Sequence, residues 1–155
     1  MDLESAAAVI RTYEGQLVPG LLQIEEYTRA VIHGAQLDES AEEVERRVAL
    51  RMARQGLLER AHAPRLWAVV DEAALRRPVG GPKVMHAQIE WLIEASRLPR
   101  VTVQILPFNA GAHPAMVGGF SILSSSPAVW AGGSAAAQSR SITSRYRSTS
   151  SRLSR

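Results

Sequence analysis

Apolar positions along the chain follow a period near 3.6 in some segments and a period of two in others. Ala6, Val9 and Ile10 form one side of a short helix predicted over residues 2–12. A Pro-Gly pair at Pro19-Gly20 breaks the rhythm. From Leu21 the positions Leu21, Leu22, Ile24, Tyr27, Ala30 and Val31 predict a helix of about four turns ending near Gly34. Proline cannot continue a preceding helix but suits a first helical position. Residues 13–20 therefore read as a loop feeding a helix. Ser40 with Glu43 three residues on is a capping-box pattern, and Glu42 and Glu43 favour the positive end of the dipole. Val44, Val48, Met52, Gln55 and Leu58 continue that helix until Pro64 closes it.

The second half carries the strands. Residues 66–70, LWAVV, form a short apolar run between Pro64 and Asp71, as a buried strand does. Residues 71–77 predict a helical turn, residues 79–82 a loop, and Lys83 to Arg97 a helix with Met85, Ile89, Leu92 and Ile93 on one side. Residues 101–106, VTVQIL, are β-branched, alternating and bounded by Pro99 and Pro107, which is the clearest strand pattern in the chain. A loop over 108–119 leads to a strand at 120–123. Strand, helix and strand across 66–106 predict parallel neighbours joined by a crossover, with strand 120–123 added as a hairpin. The expected class is α+β: a helical N-terminal half packed on a small mixed sheet. Trp67, Trp91 and Phe120 are expected in the core.

Composition changes the picture at the C-terminal end. The 155 residues are 46% apolar and 21% charged, ordinary for a globular domain large enough to bury its own core. Eleven of the last 32 residues are serine and apolar periodicity is lost, so a disordered tail is expected over 128–155, after a domain spanning 1–127. All 15 acidic residues precede Ser124, giving residues 1–123 a charge of −2 and the remainder, with five arginines, +5. A basic balance confined to a tail does not make the body a nucleic-acid surface. With no cysteine, disulfides, thiolate metal sites and cysteine nucleophiles are excluded. The acidic N-terminus lacks a secretory n-region and no apolar run reaches the roughly 18 residues of a membrane span. These features predict a cytoplasmic protein.

Several residues carry candidate chemistry. Arg47, Arg51 and Arg54 share a helix face with Gln55, and guanidinium forks suit carboxylate or phosphate. The competing reading pairs Arg47 with Glu43 and Arg51 with Asp71-Glu72 as structural ion pairs. Asp71 and Glu72 could act as paired carboxylates, or serve as helix N-cap and first-turn acid. His86 and Glu90, four apart, could share a metal or a proton, but two ligands do not make a site, and a solvated helix flank is the simpler reading. His113 lies in the loop after the strongest strand, either as a functional loop residue or as a turn residue. Phe108, at a strand exit, is a candidate partner or ligand contact. The loop Val79-Gly80-Gly81-Pro82 lacks the Gly-Lys-Ser/Thr ending of a phosphate loop. No cofactor or metal is called for.

The succession VPGLLQIEEYTRAVI, RVALRMARQGLLER, VVDEAALRRPVGG, VTVQILPFNAGAH and GGF resembles a domain of actinobacterial regulators. There it follows an XRE-type helix-turn-helix, is labelled a domain of unknown function, and belongs to antitoxin-like transcriptional regulators. The resemblance covers residues 4–124. It implies a non-enzymatic sensing or partner-binding domain, whose first partner to try is a small protein encoded nearby or a small ligand. It implies DNA contact only through a helix-turn-helix, which is expected to be missing here. It also implies a further strand after GGF, in place of which stands PAVWAGGSAAAQSRSITSRYR, the composition of a frameshifted GC-rich reading frame. The alternatives are a small hydrolase or nuclease using Asp71, Glu72, His86 or His113, and a degenerate product without function.

Overall fold

The computed structural model describes residues 7–35 and 40–125. The expectations for residues 2–6 and for the tail after Ser125, its disorder and origin included, lie outside them. In chain order the elements are β1 (Val9–Glu14), a 3-10 turn (Gly20–Leu22), α1 (Glu25–Ala35), and α2 (Ala41–Gln55) with a 3-10 extension (Gly56–Glu59). There follow β2 (Arg65–Asp71), α3 (Glu72–Arg76), α4 (Pro82–Ala95), β3 (Val101–Leu106), two 3-10 turns (Phe108–Ala110 and Pro114–Val117) and β4 (Phe120–Ser124). The class is α+β, with a mixed sheet in the order β3-β2-β1-β4.

Two expectations about the strands are overturned. Residues 9–14 are not helical but form a strand inside the sheet, parallel to β2 and antiparallel to β4. Val9, Ile10, Thr12 and Tyr13 are β-branched or aromatic and fit a pleated surface, and two flanking ladders outweigh the weak helical bias of the alanines before them. Strand β4 does not pair with β3 as a hairpin. It crosses to the far side of the sheet and pairs with β1, Tyr13 opposite Phe120 and Val9 opposite Ser124. The parallel pairing of β2 with β3 is as expected, Leu66 opposite Val101 through Asp71 opposite Leu106.

Register puts Ile10, Leu66 and Val101 in one row of the sheet and Thr12, Ala68 and Val103 in the next. This face meets the buried side of α4, where Met85, Ile89, Leu92 and Ala95 recur at helical spacing. Tyr27, Leu21, Leu22 and Leu57 complete that core. Each such side chain contributes roughly 1.5–3 kcal/mol through burial. A smaller cluster of Ile32, Val44 and Val48, with Met52 against it, joins α1 to α2. Trp67 is half-buried, its indole donating to Gln104 Oε1 at 2.8 Å. Trp91 and Phe120 are exposed, contrary to expectation. Trp91 follows Ile89 by two residues and so points away from the face α4 buries, and Phe120 opens a sheet-edge strand.

Candidate functional site

The Pro-Gly segment is an irregular loop held by side-chain hydrogen bonds. The chain runs irregularly from Gly15 to Ile24, with a single 3-10 turn, and α1 starts at Glu25, later than the apolar rhythm predicts. Much of this backbone is buried, so its polar groups need partners. Side chains supply them. Gln23, itself buried, donates to Val18 O at 2.7 Å, and Thr28 Oγ1 donates to Gln23 Oε1 at 3.1 Å. Tyr27 OH accepts from Val18 N at 3.2 Å. Gln88 reaches from α4, accepting from Ile24 N and donating to Leu22 O, both at 2.8 Å. Gln55, from the end of α2, donates to Gly20 O at 3.1 Å and to Gln23 O.

This loop forms one wall of a cavity of about 270 Å³. Leu17, Val18, Pro19, Gly20, Leu21 and Gln23 line it on the loop side, Arg51 and Arg54 on the helix side, and Ile10, Thr12, Glu14, Leu66 and Ser121 on the sheet side. Arg51 is half-buried and its Nη1 donates to Gln23 Oε1 at 3.3 Å. Withdrawal from water, and then the guanidiniums of Arg54 and Arg47, lower its pKa. Glu14 is half-buried at the carboxyl end of β1, and burial raises its carboxyl above the ordinary value. Gly119 admits that carboxylate: a Cβ there would stand 2.8 Å from Glu14 Oε2 and 3.1 Å from Tyr13 O.

A second, wider cleft of about 730 Å³ opens at the carboxyl ends of the parallel strands and shares Glu14 and Leu17 with the first. Topology creates it. The connection from β3 to β4, residues 107–119, crosses the ends of β2 and β1 because β4 lies on the other side of β1. The crevice outside the carboxyl ends of strands is where open α/β sheets take their ligands. His113 from this loop packs edge-on against Tyr13, ring centroids 5.5 Å apart, and its Nε2 lies 3.9 Å from Asp71 Oδ2. Tyr13 OH donates to the same Asp71 oxygen at 3.3 Å. Burial first, and then the Asp71 carboxylate, raise the Tyr13 phenol above its ordinary value. Phe108 is exposed on the rim, with Arg76 over its ring at 5.7 Å.

The candidate residues therefore fall into two groups. Arg51 and Arg54 line the inner cavity, and Phe108 and His113 line the outer cleft. Gln55 is a clamp for the Pro-Gly loop, its amide engaged by two carbonyls. Glu72 anchors the outer loop by accepting from Phe108 N at 2.9 Å, and pairs with Arg76 at 2.6 Å. Arg51 meets Gln23, not Asp71-Glu72 as the ion-pair reading supposed, while Glu43 takes Arg46 at 2.6 Å and is held below its ordinary value by Arg46 first and also by Arg47. Arg47 contributes to the positive field on Arg51. Asp71 caps α3, accepting from Ala73 N at 2.8 Å. His86 and Glu90 are 3.5 Å apart on an exposed flank, and no group of three potential metal ligands occurs among the described residues. Sequence reading missed Glu14, Tyr13, Gln23 and Gln88. A glutamate ending an unrecognised strand and a glutamine on a helix's apolar side, at i+3 from Met85, were the available signals.

Fold and site together define an α+β domain whose mixed sheet is open at the carboxyl ends of its parallel strands. The chain belongs to the family described as Domain of unknown function (DUF5753), whose match spans residues 1–155. No curated protein and no solved structure matches the chain. Among the described residues no helix is long and apolar enough to cross a membrane.

Proposed function

We propose that this chain is a non-enzymatic sensing and partner-binding domain of an antitoxin-like, XRE-associated transcriptional regulator of the actinobacterial kind, acting in the cytoplasm. The observation that carries the reading is convergence. The segments LVPGL and RMARQ, more than 25 residues apart in sequence, close on one cavity that also reaches the strand-end cleft. A small ligand occupies the cavity, a small partner protein encoded nearby covers the cleft mouth, and DNA is contacted through a helix-turn-helix outside the described residues. The test is a proton–nitrogen correlation spectrum of the whole chain titrated with the neighbouring small protein. Shifts confined to Leu17–Leu21, Arg51, Arg54 and the 108–119 loop are expected. Shifts absent, or located on the exposed flank of α4, refute the reading.

A small hydrolase is the second reading, favoured by the approach of His113 to Asp71. The cleft supplies it poorly. Among the described residues its lining holds no serine, threonine, lysine or cysteine, and Tyr13, the hydroxyl it does hold, is shifted away from the phenolate an attacking group needs. Turnover across a nucleotide and ester panel, abolished by His113→Gln with the fold intact, would establish it in place of the binding reading.

A further inference from the structure

The inner cavity carries opposite charges at its two sides, and neither is neutralised by the other. Glu14 and Arg51 both line it, yet no salt bridge within 4.0 Å joins them, and among the described residues no other cation pairs with Glu14 and no carboxylate with Arg51. Arg51 makes one side-chain hydrogen bond, a long one to the neutral amide of Gln23. The guanidiniums of Arg54 and Arg47 act on it with like charge. The only influence that shifts Glu14 is withdrawal from water. Half-buried charges held in this way cost free energy that a complementary ligand recovers. Gly119 leaves room beside the carboxylate, where a Cβ would stand 2.8 Å from Glu14 Oε2.

We propose that this cavity binds a small zwitterion, a free α-amino acid, with its ammonium on Glu14 and its carboxylate on Arg51. Gln23, Thr12 and Ser121 complete the polar lining, Ser121 Oγ donating to Thr12 Oγ1 at 3.0 Å. The volume of about 270 Å³ falls just below the roughly 300 Å³ where drug-sized sites begin, so the occupant is small. A lone anion would leave Glu14 uncompensated beside it, and a lone cation would leave Arg51 so. Only a ligand carrying both charges satisfies both walls. This assignment rests on the binding reading above and names the ligand class of its inner cavity.

The test uses the full chain and the twenty common amino acids, by thermal shift and then calorimetry, each hit repeated as its N-acetyl and its carboxamide derivative. At least one amino acid is expected to bind, with at least a tenfold loss on blocking either end. Glu14→Gln should abolish the discrimination against the N-acetyl form, and Arg51→Gln that against the amide. Arg51→Lys, which keeps the charge, guards against a folding defect, as do the melting curves of the unliganded variants. No binding at concentrations up to about 10 mM, roughly the weakest affinity of interest, overturns the proposal. So does binding that ignores both blocking groups. Binding of N-acetyl acids equal to the free acids, lost with Arg51, would make this a simple anion site. In either of the last two cases the proposal fails while the binding reading stands, since that is judged by the partner titration.

Discussion

Replacing Gln88 by leucine tests how the Pro-Gly loop is held. Gln88 is fully buried on α4 and spans the gap to the loop with two hydrogen bonds of 2.8 Å, one from Ile24 N and one to Leu22 O. Leucine preserves bulk and helix propensity but offers neither group a partner. An unsatisfied buried backbone group costs roughly 1–3 kcal/mol. Leu22 O lies at the high end of that range because its surroundings are buried, and Ile24 N at the low end because Ile24 is only half-buried. The leucine's own apolar surface returns about 1 kcal/mol. A net loss of about 2–4 kcal/mol follows, a large part of the roughly 5–15 kcal/mol that holds a domain together. With a urea slope of roughly 2 kcal/mol/M, the unfolding midpoint should fall by about 1–2 M. Glu90→Leu makes the same kind of change on the exposed side of α4 and should shift stability by less than about 0.5 kcal/mol. Equal, small shifts for the two variants at unchanged slope would refute the claim that side-chain amides stand in for regular structure in this loop.

Three further outcomes follow from the same geometry. Ser40→Ala removes the cap on Glu43 N, 3.3 Å away, and should cost about 1 kcal/mol in the same urea assay; no change would mean that α2 starts without help from Ser40. Gly80→Ala should destabilise by more than about 1 kcal/mol, because Gly80 has φ +69° and a Cβ there would meet Val84 Cβ at 3.0 Å and Ala30 Cβ at 3.1 Å; an unchanged or raised melting temperature would contradict the turn. Glu14 has a folded-state pKa raised above 4.5, so the folded chain holds that proton more tightly than the unfolded one. Its contribution is fully present below the unfolded value and is lost as pH rises through the folded one. Wild type should therefore lose stability relative to Glu14→Gln as pH rises above the ordinary carboxylate range, and a flat difference would show that Glu14 is fully hydrated.

Local signals were strong enough to place α2, α3, β2 and β3 from the sequence. Ser40 caps α2, Asp71 caps α3, and the alternating β-branched run of β3 lies between prolines. Each depends on neighbours within a few positions. Long-range partners decide the elements that were misread. Val9–Glu14 has strand-forming residues, but the alanines before it carry the helical pattern, and its partners arrive only with residues 65 and 120. Strand β4 was found, but its side of the sheet was not, because strand order leaves no mark on a five-residue segment. In the site, the RMARQ face was legible because three arginines at helical spacing stand out. Gln23 and Gln88 were not, because a buried amide and an exposed one look alike in sequence until the backbone they satisfy is known.

Placing the first described strand next to the last has a consequence for synthesis. Val9 is made well before its parallel neighbour, which begins at residue 65, and its antiparallel neighbour, which ends at residue 124. At roughly 5–20 residues per second, β1 stays unpaired on one side for several seconds and on the other for longer still. A β-branched segment exposed on both edges during that interval is a target for holdase chaperones and a seed for misassembly. Slow stretches of translation should therefore do most harm between α1 and β2, where the nascent chain has a strand to offer and nothing to pair with it.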